Sequence, residues 1–123
     1  MSVRVERFGD VHQLQVSWER KEDDVYVSGP TLQRTRFLLP SEWSEVLRRL
    51  ERFGFWKYRT RERRGESIQL DASLWLLEGV RQGRYRAYQV WSPEDEGEGR
   101  AFREVCLYLL DLSGLPIPAL DIY

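Results

Sequence analysis

"DASLWLLEGVRQGRYRAYQVW", residues 71–91, reads as two strands around a tight turn, with aromatic and aliphatic residues on both faces of the ribbon. Strand side chains alternate with a period of two, so the register across the turn decides which residues meet the rest of the molecule. Two turns fit Val80-Arg81-Gln82-Gly83. A two-residue loop at Gln82-Gly83 sets Glu78 opposite Ala87. A type I turn with Gly83 left-handed and a bulge sets Glu78 opposite Arg86, Leu76 opposite Tyr88 and Leu74 opposite Val90. The second is the preferred reading, because it pairs opposite charges and gathers Leu74, Leu76, Tyr88 and Val90 on the side expected to face helices.

In that register Trp75, Leu77, Tyr85, Ala87, Gln89 and Trp91 share the other side, which is too apolar for an ordinary solvated sheet face. Either the amino-terminal strands curl back over it, with Trp18, Tyr26, Phe55 and Trp56 completing a second small core, or a partner covers it. The expectation is self-coverage, because aromatic residues are mostly structural. Glu78 and Arg86 are expected to form a structural cross-strand pair, with a polar site as the alternative.

Upstream of the ribbon, Leu14, Val16 and Trp18 alternate on one strand face. Glu19 to Asp24 then reads as a charged turn before Val25-Tyr26-Val27, giving an opening hairpin that Gly29-Pro30 ends. Leu32 to Leu39 is a third extended run, and Arg34 and Arg36 within it suggest a sheet edge or a solvated flank. The clearest helix follows Pro40, with Ser41 as N-cap, Glu42 and Glu45 in the first turn, Trp43, Val46, Leu47, Leu50 and Phe53 at helical spacing, and Gly54 as the stop. Phe55 to Tyr58 is expected to be extended, and Arg59 to Glu66 a charged turn leading through Ile68 and Leu70 into the ribbon.

After Trp91, Ser92 and Pro93 suit a helix start, but Gly97 and Gly99 predict a break, so the second helix is expected from Arg100. It carries an apolar stripe of Phe102, Val105, Cys106, Leu109 and Leu110, and Gly114 with the prolines at 116 and 118 ends it. The order β-β-β-α-β-β-β-α predicts an α+β fold: one antiparallel sheet with both helices on one face, in a single domain spanning residues 1–123.

Composition narrows the function. Nineteen basic against twenty acidic side chains in 123 residues create no global field that would draw the chain onto nucleic acid or anionic lipid. No apolar run approaches the length of a membrane span, so no membrane partner is expected. A single cysteine cannot form an internal disulfide, and the Met-Ser-Val start has no apolar signal-like run, so a reducing, cytoplasmic setting is the expectation. Five tryptophans are a heavy load for so short a chain, and tryptophan is enriched at binding hot spots.

Trp75-Leu76-Leu77-Glu78-Gly79, Gly83-Arg84-Tyr85, Trp91-Ser92-Pro93, Phe102-Arg103-Glu104 and Cys106-Leu107-Tyr108-Leu109-Leu110 together resemble a pattern in small uncharacterised bacterial proteins. The resemblance covers residues 71–115 and implies a hairpin followed by a helix, and a bacterial origin. In size and layout the chain is also similar to small immunity or inhibitor proteins.

Candidate chemistry is sparse. Cys106 sits in a leucine-rich stripe, where desolvation suppresses thiolate formation, so a structural thiol is expected. His12 is the only histidine and is expected on an early strand without catalytic duty. One Cys and one His give no zinc constellation, and the glycines have neither the spacing nor the lysine of a phosphate loop, so no metal or cofactor is expected. The charged patch "KYRTRERR" places Lys57, Arg59, Arg61, Arg63 and Arg64 beside Tyr58, a pattern able to hold phosphates and stack on bases. It is read first as a solvated arm, since the whole chain is not basic.

The resulting expectation is a non-enzymatic module binding another protein, or a second copy of itself, through Trp75, Tyr85, Trp91, Glu78 and Arg86. A nucleic-acid-associated module using the 57–64 arm is the alternative, and an enzyme without a sequence signature is third.

Overall fold

The computed structural model describes residues 2–19, 31–57, 61–62, 74–91, 93 and 97–115. Ser2–Phe8 (β1) and Val11–Glu19 (β2) form an antiparallel hairpin around Gly9-Asp10, and Thr31–Phe37 (β3) pairs antiparallel with β2. The opening hairpin therefore lies earlier than expected. Its turn is at Gly9, whose positive φ of 60° favours a residue without a side chain, and Glu19 is the last residue of β2. The remaining residues expected in the 19–24 turn, the strand expected at Val25-Tyr26-Val27 and Gly29-Pro30 lie outside the described residues.

Pairing of Val3 with Val16, Val5 with Leu14, and Leu14 with Arg36 puts these side chains on one face. Leu14 and Val16 are buried there, and Val3 and Val5 pack against the same core.

Pro40–Phe53 (α1) begins one residue earlier than its expected cap. Leu39, not Ser41, is the N-cap residue. Leucine has no side-chain acceptor, so the first turn is held by Glu42, whose Oε2 accepts from the Leu39 amide at 2.8 Å, while Pro40 occupies the first helical position, where its missing N–H costs nothing. At the other end Gly54 is left-handed (φ 75°). Its amide donates to Glu51 O at 2.9 Å and the Phe55 amide to Leu50 O at 3.0 Å, closing a Schellman motif. That closure, with Lys57 N donating to Gly54 O, makes residues 54–57 a turn rather than the extended run expected from Phe55.

Arg61–Glu62 (β4), Leu74–Arg81 (β5) and Arg84–Trp91 (β6) make a second sheet in the order β4-β6-β5, with β5 and β6 antiparallel and β4 parallel to β6. Among the described residues the expected single sheet is thus two three-stranded sheets, and part of the expected charged turn is a short strand docked on β6.

Gly97–Ser113 (α2) starts a turn earlier than expected, with Gly97 at φ 61° beginning it instead of breaking it. It ends at the expected Gly114, also left-handed. The α2 residues Phe102, Val105 and Leu112 are buried with Val46, Leu50 and Phe53 of α1, with Leu14 and Val16 of the first sheet, and with Leu77 and Tyr88 of the second. Tyr88 meets Phe53 edge-on at 4.9 Å and Phe102 at 5.3 Å between ring centres. Both sheets therefore turn one face to the same helix pair, and the fold is α+β with largely antiparallel pairing.

Arg34 and Arg36 share the inner face with Leu14 and Val16, and are more than a solvated flank. Arg36 Nε donates to Leu112 O at 3.0 Å, and Arg34 Nη1 to Gly114 O at 2.7 Å, so the last carbonyls of α2 find donors and positive charge at the negative end of the helix. Arg36 also grips Glu42 through both terminal nitrogens, at 2.8 and 2.9 Å. One strand thereby ties the start of α1 to the end of α2. The Glu42 carboxyl is held below its ordinary pKa chiefly by Arg36, with the Leu39 amide adding to the effect.

Candidate interaction surface

The ribbon adopts the two-residue loop. Gln82 and Gly83 both have positive φ, 51° and 72°, as a type I′ turn requires, and its twist matches that of the flanking strands. Glu78 consequently lies opposite Ala87, Leu77 opposite Tyr88 and Trp75 opposite Val90, which corrects the bulged register expected from charge pairing.

Magnitudes explain the outcome. An exposed Glu–Arg pair contributes at most about 1 kcal/mol, too little to set the register; both registers turn leucine inward, and the observed one also brings the Trp75 side chain onto the core. Leu77 is 8% exposed, and Trp75 packs against the same core. Gly79 adds a steric condition: a Cβ there would come within 2.7 Å of Phe55 and 3.0 Å of Trp56, so the 54–57 turn closes down where this strand lacks a side chain. Phe55 and Trp56 thus fill the inner core and do not cover the outer face. The Trp18 side chain and Tyr26 lie outside what is described.

A one-residue change of register on β5 inverts that strand and leaves β6 as expected. The outer face carries Leu74, Leu76, Glu78 and Val80 from β5, and Tyr85, Ala87, Gln89 and Trp91 from β6. Leu74, Leu76, Val80, Tyr85 and Trp91 are each between 45% and 69% exposed. Large aliphatic and aromatic groups left in water together on one sheet face are characteristic of surfaces that bind something. Among the described residues the amino-terminal strands do not cover this face: β1, β2 and β3 form a sheet of their own with its inner face on the helices. On the outer face the Tyr85 hydroxyl donates to Glu78, and that bond raises the phenol pKa by favouring its protonated form.

Of the five residues singled out for partner binding, Tyr85, Trp91 and Glu78 share this face. Trp75 and Arg86 sit on the opposite, inner face. The structural Glu78–Arg86 pair expected from the sequence is therefore absent, with Glu78 partnered by Tyr85 and Arg86 lying across from Gly79. Leu74, Leu76 and Val80 belong to the surface as well, with Leu74 and Leu76 on the side opposite to the one the bulged register gives them. The Gln82-Gly83 dipeptide is compatible with the two-residue loop that places them on this side, but the chain there fits the bulged turn as well.

The basic arm is divided. Lys57 is exposed in the turn after α1, Arg61 is in β4 with its backbone opposite Tyr88, and Arg59, Arg63 and Arg64 lie outside the described residues. A second exposed apolar group, Phe8, Val11, Phe37 and Leu39, lies around the Gly9 end of the first sheet.

His12 stacks on Trp43 at 4.1 Å between ring centres, and burial, then Arg7, pushes its pKa down. It serves as a contact between β2 and α1. Cys106 is partly buried, and burial pushes its thiol up to about 12, which suppresses nucleophilic chemistry at neutral pH. Among the described residues no three histidine, cysteine, aspartate or glutamate side chains converge as metal ligands, and no helix is long and apolar enough to cross a membrane. No family model, curated protein or solved structure matches the chain.

Proposed function

We propose that the protein is a non-enzymatic, cytoplasmic interaction module of a bacterium, in the manner of a small inhibitor or immunity protein, and that it binds another protein through the outer face of the β5–β6 ribbon. The supporting observation is that face itself: Leu74, Leu76, Val80, Tyr85 and Trp91 exposed together on one side of the paired β5 and β6 strands. Aromatic and aliphatic anchors of this kind, with a hydrogen-bonded polar pair at Tyr85 and Glu78 among them, have the composition of an interface centre. The nucleic-acid reading has less support, since the cations of the 57–64 arm are offset by a chain of net charge −1.

The test is co-purification from the native host at low and moderate salt with the parent chain and with Leu76→Ser combined with Val80→Ser. Both positions are exposed, so folding is expected to persist. A protein partner retained at both salts by the parent and lost by the variant supports the reading. Equal recovery by both sinks it. Sedimentation of the two purified proteins distinguishes a second copy of this chain from a different partner.

A further inference from the structure

Among the described residues the outermost strands of the two sheets are β1, β3, β4 and β5. Unpaired backbone along an outer strand is a template for another chain, and proteins blunt it with charge, with charged side chains turned inward, with bulges or by keeping the strand short. β1 carries Arg4, Glu6 and Arg7, β3 turns Arg34 and Arg36 inward, and β4 is two residues long. β5 is the least guarded. It runs eight residues with no proline and an unbroken register. Its one internal charge, Glu78, accepts from the Tyr85 hydroxyl, and Arg81 at its end reaches Glu51 at 3.3 Å.

The two-residue loop also fixes which backbone groups point away from β6. The residues flanking such a loop, Arg81 and Arg84, exchange hydrogen bonds, and bonded and unbonded pairs alternate from there along the ribbon. Leu77 and Gly79 thus direct their amides and carbonyls at β6. Leu74, Leu76, Glu78 and Val80 direct theirs at the open edge, where they meet no partner among the described residues.

We propose that β5 pairs antiparallel with β5 of a second copy of this chain, about a two-fold axis at Leu77, joining the two ribbons into one continuous sheet. A second copy is the occupant because the strand is complementary to itself in that register. Directly opposed residues share a face, so a two-fold pairing centres on a residue, and Leu77 and Glu78 are the centres that overlap most of β5. Centring on Glu78 sets that carboxylate against its own copy, a like-charge contact that weakens pairing. Centring on Leu77 sets Leu74 opposite Val80 and Leu76 opposite Glu78, so the outward amides and carbonyls of all these residues gain partners and no like charges meet. On the inner side Trp75 then lies opposite Gly79, which brings no side chain of its own. The contact is made by backbone and leaves Tyr85 and Trp91 open, so it stands apart from the protein-binding reading of the outer face.

The experiment measures self-association of the purified full chain by sedimentation equilibrium, in a concentration series reaching about 1 mM, with amide hydrogen exchange followed by NMR across the same series. Leu76→Pro removes one outward N–H and no bond to β6. Leu76→Glu and Leu76→Lys place opposite charges at one exposed position, across from Glu78 of the second copy. Circular dichroism confirms that each variant folds. The expected result is a parent dimer in which the Leu76, Glu78 and Val80 amides gain protection as concentration rises. Dimerisation should weaken about tenfold or more in Leu76→Pro and Leu76→Glu and change by less than about threefold in Leu76→Lys.

A parent that stays monomeric throughout overturns the proposal. So does a dimer whose outward β5 amides exchange as in the monomer, which places the contact elsewhere. Equal weakening by glutamate and lysine refutes the register centred on Leu77, because a contact through the outer apolar face loses the same leucine either way. Should Leu76→Pro fail to fold, the contrast between the charged variants still decides. Recovery of a different protein from the host tests the outer face and is unaffected by the self-association result.

Discussion

Replacing Leu77 and Leu76 by alanine, one at a time, tests the register of the ribbon on which both proposals stand. The two residues are adjacent and chemically identical, but Leu77 is 8% exposed and Leu76 is 52% exposed. Leu77→Ala removes three carbons from the core beside Tyr88, whose ring is fixed against Phe53 and Phe102. At about 0.8 kcal/mol per methylene the transfer loss alone is about 2.4 kcal/mol. Packed rings collapse poorly into the space left behind, so a cavity penalty brings the total to about 3–4 kcal/mol, within the usual span of buried leucine truncations.

Leu76→Ala leaves the core intact and is expected to cost under about 1 kcal/mol. With an unfolding entropy of about 2.1 cal/mol/K per residue over 123 residues, the Leu77 variant should melt about 12–15 °C lower. The Leu76 variant should fall by less than about 4 °C. Thermal and urea unfolding, followed by far-ultraviolet circular dichroism and tryptophan fluorescence together, provide the measurement. Equal losses, or a larger loss at Leu76, refute the two-residue loop, because the bulged register places Leu76 against Tyr88 and turns Leu77 outward.

Gly79→Ala should destabilise by about 1–3 kcal/mol through overpacking, since its Cβ would press on the Phe55 and Trp56 rings; unchanged urea unfolding would show that the 54–57 turn does not close on β5. Glu45 is held at about 2 by its hydrogen bond to Arg48, and further by Arg49. A carboxyl depressed in the folded state gives stability that is present above its ordinary value of 4.5 and lost as pH falls towards about 2. Glu45→Gln should therefore flatten the fall of stability across that window, more clearly at low salt, and a parent-like slope in acid titrations would remove the ion pair from the account. Cys106 should react slowly with a thiol reagent at neutral pH in the native state and rapidly in denaturant, and Cys106→Ala should cost about 1–2 kcal/mol; fast native labelling contradicts its burial.

The sequence by itself determined the elements whose signals are local. The stripe from Trp43 to Phe53 and the left-handed Gly54 define α1, the stripe through Phe102 and Val105 with Gly114 defines α2, and the alternation on either side of Gln82-Gly83 defines the hairpin. These follow from periodicity and backbone sterics that a few neighbouring residues settle.

What local pattern leaves open was decided in three dimensions. Leu76 and Leu77 are equally apolar, so only the core formed by Phe53, Phe55, Tyr88 and Phe102 could choose which of them turns inward. The third strand of the second sheet likewise comes from a two-residue parallel pairing of Arg61–Glu62 with β6, too short to leave a strand signature in the chain. Arg34 and Arg36 read as edge residues until α2 ends beside them, where its unsatisfied carbonyls give their charge a structural task. The exposed face of the ribbon is the result of the same choice: with Trp75 and Leu77 turned onto the core, strand alternation leaves Leu74, Leu76 and Val80 in water.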